Sequence, residues 1–134
     1  MTLEPIQPHG WKLPRGYANG MRAPQGARIL FVAGQVAWDA QQRLVGADDF
    51  VAQFRQALAN VIAVVEAGGG KASDIASLTV FVTDKSRYLA STRELTAVWR
   101  ELMGRHYPAM ALVEVAGLVE DGALLEIQGV AAVR

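Results

Sequence analysis

The residue with the clearest capacity for chemistry in this 134-residue chain is Glu126, which lies between two apolar side chains near the C-terminus. Leu125 and Ile127 flank it in a strand-like run, and successive residues of a strand point to opposite faces. Glu126 is therefore expected to point away from the side that its neighbours bury. A carboxylate on an otherwise apolar face is costly unless it has partners or a task. We interpret Glu126 as a candidate general base or water-orienting group.

A second apolar run precedes Glu126, and the turn at residues 120–122 separates the two. Met110 and Glu114 share one face of this earlier run, and packing is the ordinary role of a methionine. Arg105 and His106 come directly before the run. They are candidate cationic or proton-transfer groups, and ordinary surface residues are the alternative.

Other kinds of site find little support in the sequence. Residues 68–71 read Gly-Gly-Gly-Lys, but they lack the spacing and the Ser or Thr of a phosphate loop and come at the end of a helical pattern. His9 and His106 are far apart and have no carboxylate or thiol at ligand spacing, so we predict no metal site. The absence of cysteine excludes disulfides and a thiol nucleophile, and it fits a reducing compartment.

The composition bounds the partners and the location. Thirteen Lys and Arg balance thirteen Asp and Glu, so neither nucleic acid nor an anionic membrane is expected as a partner. Glu4, Pro5 and Pro8 occupy the region where a signal peptide would be apolar, and acids interrupt every long apolar segment. We expect a soluble cytoplasmic protein with a single domain over residues 1–134.

Periodicity and breaker residues predict the elements in order. Residues 1–27 hold four of the five prolines and are expected to be extended. An acidic N-cap at Asp48 and Asp49 starts a helix, and Gly68 to Gly70 end it. The other elements are strands at 28–33 and 75–82, a second helix from about 89 or 91 to 103, and final strands near 109–115 and 123–133.

This order predicts an α+β sandwich with both helices packed on one face of the sheet. Ile29 and Phe31 alternate with Leu30 and Val32, so both faces of the first long strand are apolar. An uncovered apolar face of this size is rare in soluble monomers. The sequence therefore predicts a homo-oligomer that buries the open face.

The chain resembles the RidA family, also called YjgF/YER057c/UK114, over nearly its whole length. The motifs that carry the resemblance are G-Y at 16–17, A-G-Q at 33–35, A-Q at 52–53, Asn60 in A-L-A-N-V-I-A-V-V-E-A-G-G, T-V-F-V-T-D at 79–84, and P-A-x-A-L-V-E-V-A-G-L through L-E-I at 108–127. The closing motif is the most specific of them.

The resemblance implies a chorismate-mutase-like fold that forms a homotrimer around a central barrel, with a small-molecule cleft at each subunit interface. Members of the best-known branch hydrolyse enamines and imines to 2-oxo acids and ammonia without a cofactor. Their arginine directly after the Pro-Ala pair binds the substrate carboxylate, and the glutamate of the closing motif positions or activates water. By the same resemblance, Glu126 would be catalytic, and Tyr17, Gly34 and Ala111 would line the cleft.

Met110 occupies the position of that arginine, and a thioether offers neither charge nor donors. We therefore expect little activity on 2-aminoacrylate-type substrates. The family's cleft asparagine aligns with Thr92 or Arg93, and Arg93 is a candidate replacement for the missing cation. The leading hypothesis is a cofactor-free hydrolase or deaminase of a small reactive metabolite. The alternatives are a non-catalytic trimeric protein that binds or senses a metabolite and, least favoured because of the neutral charge, an RNA-cleaving enzyme.

Overall fold

The computed structural model describes residues 2–134. The elements are β1 (Glu4–Ile6), β2 (Gly20–Arg22), β3 (Arg28–Gln35), α1 (Phe50–Ala67), a 3-10 turn (Ala72–Asp74), β4 (Ile75–Val82), α2 (Lys85–Ala90), α3 (Thr92–Met103), β5 (Ala109–Glu114) and β6 (Leu125–Val133). Strands β3, β6, β4 and β5 form one sheet in that order, and only the β4–β5 pair is parallel. The predicted α+β architecture is confirmed.

Helix α1 begins and ends where the sequence predicts. Asp49 is the N-cap, and its carboxylate accepts a hydrogen bond from the backbone N–H of Ala52 at 3.0 Å. Gly68 is the C-cap, and Gly69 adopts a φ of 90°, which favours glycine. The Gly-Gly-Gly-Lys segment therefore follows the end of a helix, and the predicted helix end at these glycines is confirmed.

The core lies between one face of the sheet and a layer formed by α1 and α3. Helices α1 and α3 and strands β4 and β6 contribute most of the almost fully buried residues, among them Phe54, Leu58 and Val61 from α1, Leu95, Val98 and Trp99 from α3, Leu78 and Val80 from β4, and Leu125 and Ile127 from β6. Arg55 of α1 and Glu101 of α3 form an ion pair on the outside of this layer. The hydrogen bond from Arg55 lowers the pKa of the Glu101 carboxyl below its usual value.

Within residues 2–134 the structure adds one helix that the sequence analysis did not predict: Lys85–Ala90 forms the short α2, and the predicted second helix follows as α3 at Thr92–Met103. Asp84 caps the short α2 by accepting from the backbone N–H of Ser86. Ser91 then leaves the helical conformation, with φ −111° and ψ 12°. Its hydroxyl donates to the Arg87 carbonyl at 2.8 Å, which competes with continuation of the helix. Asp84 also has a lowered pKa, chiefly because the Ser86 hydroxyl donates to it.

The N-terminal segment is more ordered than the expectation of an extended arm. Within residues 2–27, strands β1 and β2 pair antiparallel, and the side chains of Glu4 and Arg22 form an ion pair across them. The predicted arm also included Met1, which lies outside the described residues. Ala18 bridges Ala109 in parallel and donates its N–H to the Pro108 carbonyl at 3.0 Å. This segment is thereby attached to the start of β5.

The second face of the sheet is uncovered in the single chain, as the alternation in β3 predicts. We call it the open face, and its residues include Ile29, Phe31, Phe81, Val113 and Val130. Phe31 keeps 77% of its surface exposed and Ile29 keeps 51%. Leu112 of β5, by contrast, packs against the core.

Candidate functional site

The Glu126 carboxylate lies on the open face, as strand alternation predicts. Leu125 and Ile127 on either side of it are fully buried against the helices, whereas Glu126 is half-buried. On the adjacent strand β4, Phe81 is in register with Glu126. Within residues 2–134 the Glu126 side chain forms neither a hydrogen bond nor an ion pair. A carboxylate without a partner beside an aromatic ring is available to a ligand, a water molecule or another subunit.

Gly34 lies beside Glu126 on the neighbouring strand β3. A side chain at this position would have its Cβ only 2.6 Å from Oε2 and 2.8 Å from Cδ of Glu126. The register between β3 and β6 shifts between Val32 and Gln35, and this irregularity brings the Gly34 backbone to the carboxylate. We call this arrangement of the single Glu126 carboxylate beside Gly34 the carboxylate pair.

Three other predicted site residues lie together at the β5 edge of the sheet. Tyr17, Met110 and Ala111 line a shallow depression of about 310 Å³, which we call the edge depression. Tyr17 is 42% exposed. Met110 is in register with Leu78 and packs toward the core, whereas Ala111 faces the opposite side. The edge depression therefore contains a phenol and a thioether.

The remaining predicted residue, Arg93, is in the first turn of α3, within the helix layer. It is exposed, and its side chain forms no ion pair or hydrogen bond within residues 2–134. Since the helix layer covers the core face, Arg93 and the Glu126 carboxylate lie on opposite sides of the sheet. One chain does not bring the six predicted residues into a single site.

Sequence reasoning did not foresee that Gln53 of α1 is completely buried. Its amide donates to the carbonyls of Gly46 and Gly122, both at 3.1 Å, and accepts the N–H of Leu124 at 2.8 Å. These bonds hold the turn that leads into β6, and so they support the strand that carries Glu126. Gln53 follows Phe50 at a helical interval, and that spacing was the only available sign of burial.

Two further polar residues of α1 hold the segment that follows Gly34. Asn60 donates to the carbonyls of Val36 at 3.1 Å and Trp38 at 2.8 Å, and Gln56 donates to Trp38 at 3.1 Å. The polar side of α1 is thus connected to the chain after β3 and, through Gln53, to the chain before β6. Helix α1 therefore supports both strands of the carboxylate pair, β3 with Gly34 and β6 with Glu126.

Other features of residues 2–134 offer less chemistry. No group of three or more His, Asp or Glu side chains is placed to share a metal ion. A cavity of about 640 Å³ lies between residues 2–5 and 22–25, but its charged groups, Glu4 and Arg22, pair with each other. None of the helices described in residues 2–134 has the length and apolar character that a membrane crossing requires.

The chain folds as a single mixed sheet with helices on one face and the Glu126 carboxylate on the other, and comparison with known proteins identifies its family. The family model described as Endoribonuclease L-PSP matches residues 15–133. A RutC family protein of Haemophilus influenzae is 35% identical over 123 residues, which are 92% of this chain and 93% of the relative. The chain belongs to this family, which includes the YjgF and RidA proteins that its motifs resemble.

Solved structures support the same assignment. A Rid family protein of unknown function from Yersinia pestis, YyfB, superposes with a TM-score of 0.86 at 28% identity and covers 99% of this chain and 100% of that chain. Escherichia coli TdcF, crystallised with bound serine, has a TM-score of 0.67 at 29% identity and covers 98% of this chain and 99% of that chain.

Proposed function

We propose that the protein is a cofactor-free hydrolase or deaminase of a small imine, enamine or related reactive metabolite, and that it works in a cleft between subunits. The observation that carries the proposal is the carboxylate pair, an unpartnered Glu126 carboxylate on the open face with a glycine beside it. In this role Glu126 accepts a proton from water as the water oxygen adds to the imine carbon. Glu126 returns this proton to the nitrogen, the hydroxyl proton of the adduct is also transferred to the nitrogen, and the C–N bond breaks to release ammonia and a carbonyl product. An enamine first takes up a proton on carbon to become the imine.

The cleft requires a second subunit. The edge depression and Arg93 are separated from the carboxylate pair within one chain, and the exposed Ile29 and Phe31 give the open face an apolar surface suited to burial between copies. We propose a homotrimer in which Tyr17, Met110 and Ala111 of one subunit approach the carboxylate pair of another, with Arg93 at the periphery. The serine bound to TdcF, a relative of the same fold, supports a small metabolite as ligand.

The test compares Glu126→Gln with Glu66→Gln, a matched change of an exposed glutamate at the end of α1. Imines are generated in place by an amino-acid oxidase, which yields carboxylated imines, or by an amine oxidase, which yields uncharged ones. Ammonia release should fall by about 100-fold or more in Glu126→Gln and stay at the wild-type rate in Glu66→Gln. Unchanged turnover of every accepted substrate in Glu126→Gln would exclude this mechanism.

Met110 makes carboxylated imines the poorer substrates in this proposal. The edge depression has no charge at the position where the best-known branch of the RidA family carries arginine. Met110→Arg should raise turnover of the carboxylated imines relative to the uncharged ones. If a variant with an intact oligomer gains nothing, other residues of the cleft also exclude these substrates.

A non-catalytic binding or sensing protein is the second candidate, and the apolar packing of Met110 favours it. Saturable binding of a metabolite with no turnover of any imine would establish this alternative. RNA cleavage is not part of the proposal, because thirteen acidic residues balance thirteen basic ones. A highly purified sample should leave RNA intact without added metal.

A further inference from the structure

A second concavity lies next to the edge depression, on the other side of the Tyr17 segment. This cavity of about 300 Å³ lies between the N-terminal segment and the loop that enters β5, and we call it the arm pocket. Ile6, Leu13 and Met21 give it apolar walls, whereas Tyr17 and Arg105 contribute polar groups. Tyr17, Ala18 and Asn19 line both concavities.

The wall of the arm pocket at residues 105–107 is held by three contacts. The His106 ring donates from Nε2 to the Ile75 carbonyl at 2.7 Å, since a carbonyl oxygen can only accept. Trp99 Nε1 donates to the His106 carbonyl at 3.1 Å, and its ring stacks on Tyr107 with centroids 6.1 Å apart. This loop is therefore a firm support for the arginine that begins it.

The opposite wall is tied down as well. The Gln7 amide donates to the carbonyls of Trp11 and Lys12, both at 3.2 Å. Asn19 donates from its side chain to the Gln7 oxygen at 2.8 Å. The hydrogen bonds of Gln7 and Asn19 are made within this wall. Arg105 is therefore the charged side chain of the pocket that can contact a ligand.

Four other arginines of residues 2–134 pair with carboxylates, whereas Arg105, like Arg93 and Arg100, does not. Arg22, Arg43, Arg55 and Arg87 each form an ion pair with a carboxylate. Arg105 forms neither an ion pair nor a side-chain hydrogen bond within residues 2–134. Its guanidinium is thus free to engage an anion, and a carboxylate matches its two-pronged geometry.

We propose that the arm pocket binds small monocarboxylates, with Arg105 recognising the carboxylate and the apolar walls holding the carbon chain. The inference deepens the proposed function and rests on it for the size class of the ligand. It assigns anion recognition to the arm pocket. The neighbouring edge depression is lined by Met110, which carries no charge. Arg105 lines the arm pocket and Met110 lines the edge depression, and Tyr17 lines both concavities.

Calorimetric binding of hexanoate and 2-oxobutyrate to the full chain tests the proposal, with hexanamide as the uncharged probe. Arg105→Gln should weaken carboxylate binding by about tenfold or more, and hexanamide should bind wild type at least about tenfold more weakly than hexanoate. Arg100→Gln is the matched control, because the Arg100 side chain is also exposed, forms no ion pair or side-chain hydrogen bond within residues 2–134, and lies outside the pocket. Both variants should melt at the wild-type temperature, since neither side chain bears a structural contact.

Three results would overturn the inference: equal carboxylate binding by Arg105→Gln and wild type, equal binding of hexanamide and hexanoate, or no binding of either carboxylate up to about 10 mM. Binding to Glu126→Gln separates this test from that of the proposed function, because Glu126 does not line the arm pocket. Carboxylate binding without imine turnover would refute only the proposed function. Imine turnover that needs Glu126, combined with an unchanged KM in Arg105→Gln, would refute only the arm pocket.

Discussion

Replacing Gly34 with alanine should impair catalysis while leaving the fold almost unchanged. The new Cβ would lie 2.6 Å from Glu126 Oε2, and ordinary contact begins near 3.4 Å, so this oxygen must withdraw by about 0.8 Å. The atoms that must move are the far end of a flexible, half-buried side chain, so the carboxylate yields and the backbone does not. A displacement near 1 Å at a reacting group costs on the order of 100-fold in rate.

Stability should respond far less than turnover. Gly34 has no left-handed φ, so alanine introduces no backbone strain and gains roughly 0.5–1 kcal/mol from reduced freedom of the unfolded chain. Displacing Glu126 opposes this gain, and the net change in the free energy of unfolding should stay within about 1 kcal/mol. Gly117→Ala is the matched control, because its Cβ would meet nothing within 4 Å and its φ is also not left-handed.

The assay combines ammonia release from the imine panel with urea denaturation. We expect kcat to fall by about 10- to 100-fold in Gly34→Ala and to remain unchanged in Gly117→Ala. In a Glu126→Gln background, Gly34→Ala should lower kcat no further, because the group that it displaces is already inactive. The reasoning is refuted if Gly34→Ala keeps wild-type kcat for a substrate that depends on Glu126, or if it destabilises the fold by more than about 2 kcal/mol.

Three further changes probe the open face, the support of β6 and the pairing of the helices. Phe31→Glu should reduce the oligomer to smaller species in analytical ultracentrifugation while the circular dichroism spectrum stays the same. Val119→Glu, at a fully exposed loop residue, should leave the oligomer intact. An unchanged oligomer in Phe31→Glu would show that the open face is not the interface. Gln53→Leu should lower the free energy of unfolding by about 2–4 kcal/mol, measured with urea, because one N–H and two carbonyls lose their buried partner, and a loss below about 1 kcal/mol would contradict this. Since Arg55 lowers the pKa of Glu101, the ion pair stabilises the fold at neutral pH, and this stabilisation is lost as the pH falls through the lowered pKa. The small difference in urea midpoint between wild type and Glu101→Gln should therefore shrink from about pH 7 to about pH 3. A difference that grew as the pH fell would contradict the assigned direction of the pKa shift.

The elements predicted correctly are those whose boundaries depend on nearby residues. The strand at 75–82 was predicted with its observed limits, and α1 begins directly after Asp49 and ends before Gly68. Caps and glycine breaks act within a few residues, so the sequence contains the whole cause. The start predicted at about 89 or 91 agrees with α3, whose N-cap is Ser91, whereas α2 was missed because its six residues are too few to show a helical period.

Features that depend on distant contacts could not be predicted in the same way. Strands β1 and β2 are short and lack a two-residue hairpin turn, so nothing local marks them as partners. Gln53 is buried because two loops from other parts of the chain supply its hydrogen-bond partners. Strand alternation predicted the face of Glu126, but its contact with Gly34 depends on a register shift in β3 that the sequence does not reveal. The roles of Tyr17, Met110, Ala111 and Arg93 stay predictions.

The register of β5 explains why the identity of residue 110 has to be considered together with a second subunit. Met110 is in register with Leu78, on the core side of the sheet, whereas Glu126 lies on the open face beyond β4. An arginine at position 110 would therefore not meet the Glu126 carboxylate of its own chain, and it would have to extend from the β5 edge toward a neighbour. Arg105 needs no such extension to reach a concavity, because it already lines the arm pocket. Carboxylate recognition by Arg105 would therefore take place in the arm pocket, whereas Met110 leaves the β5 edge without a charge.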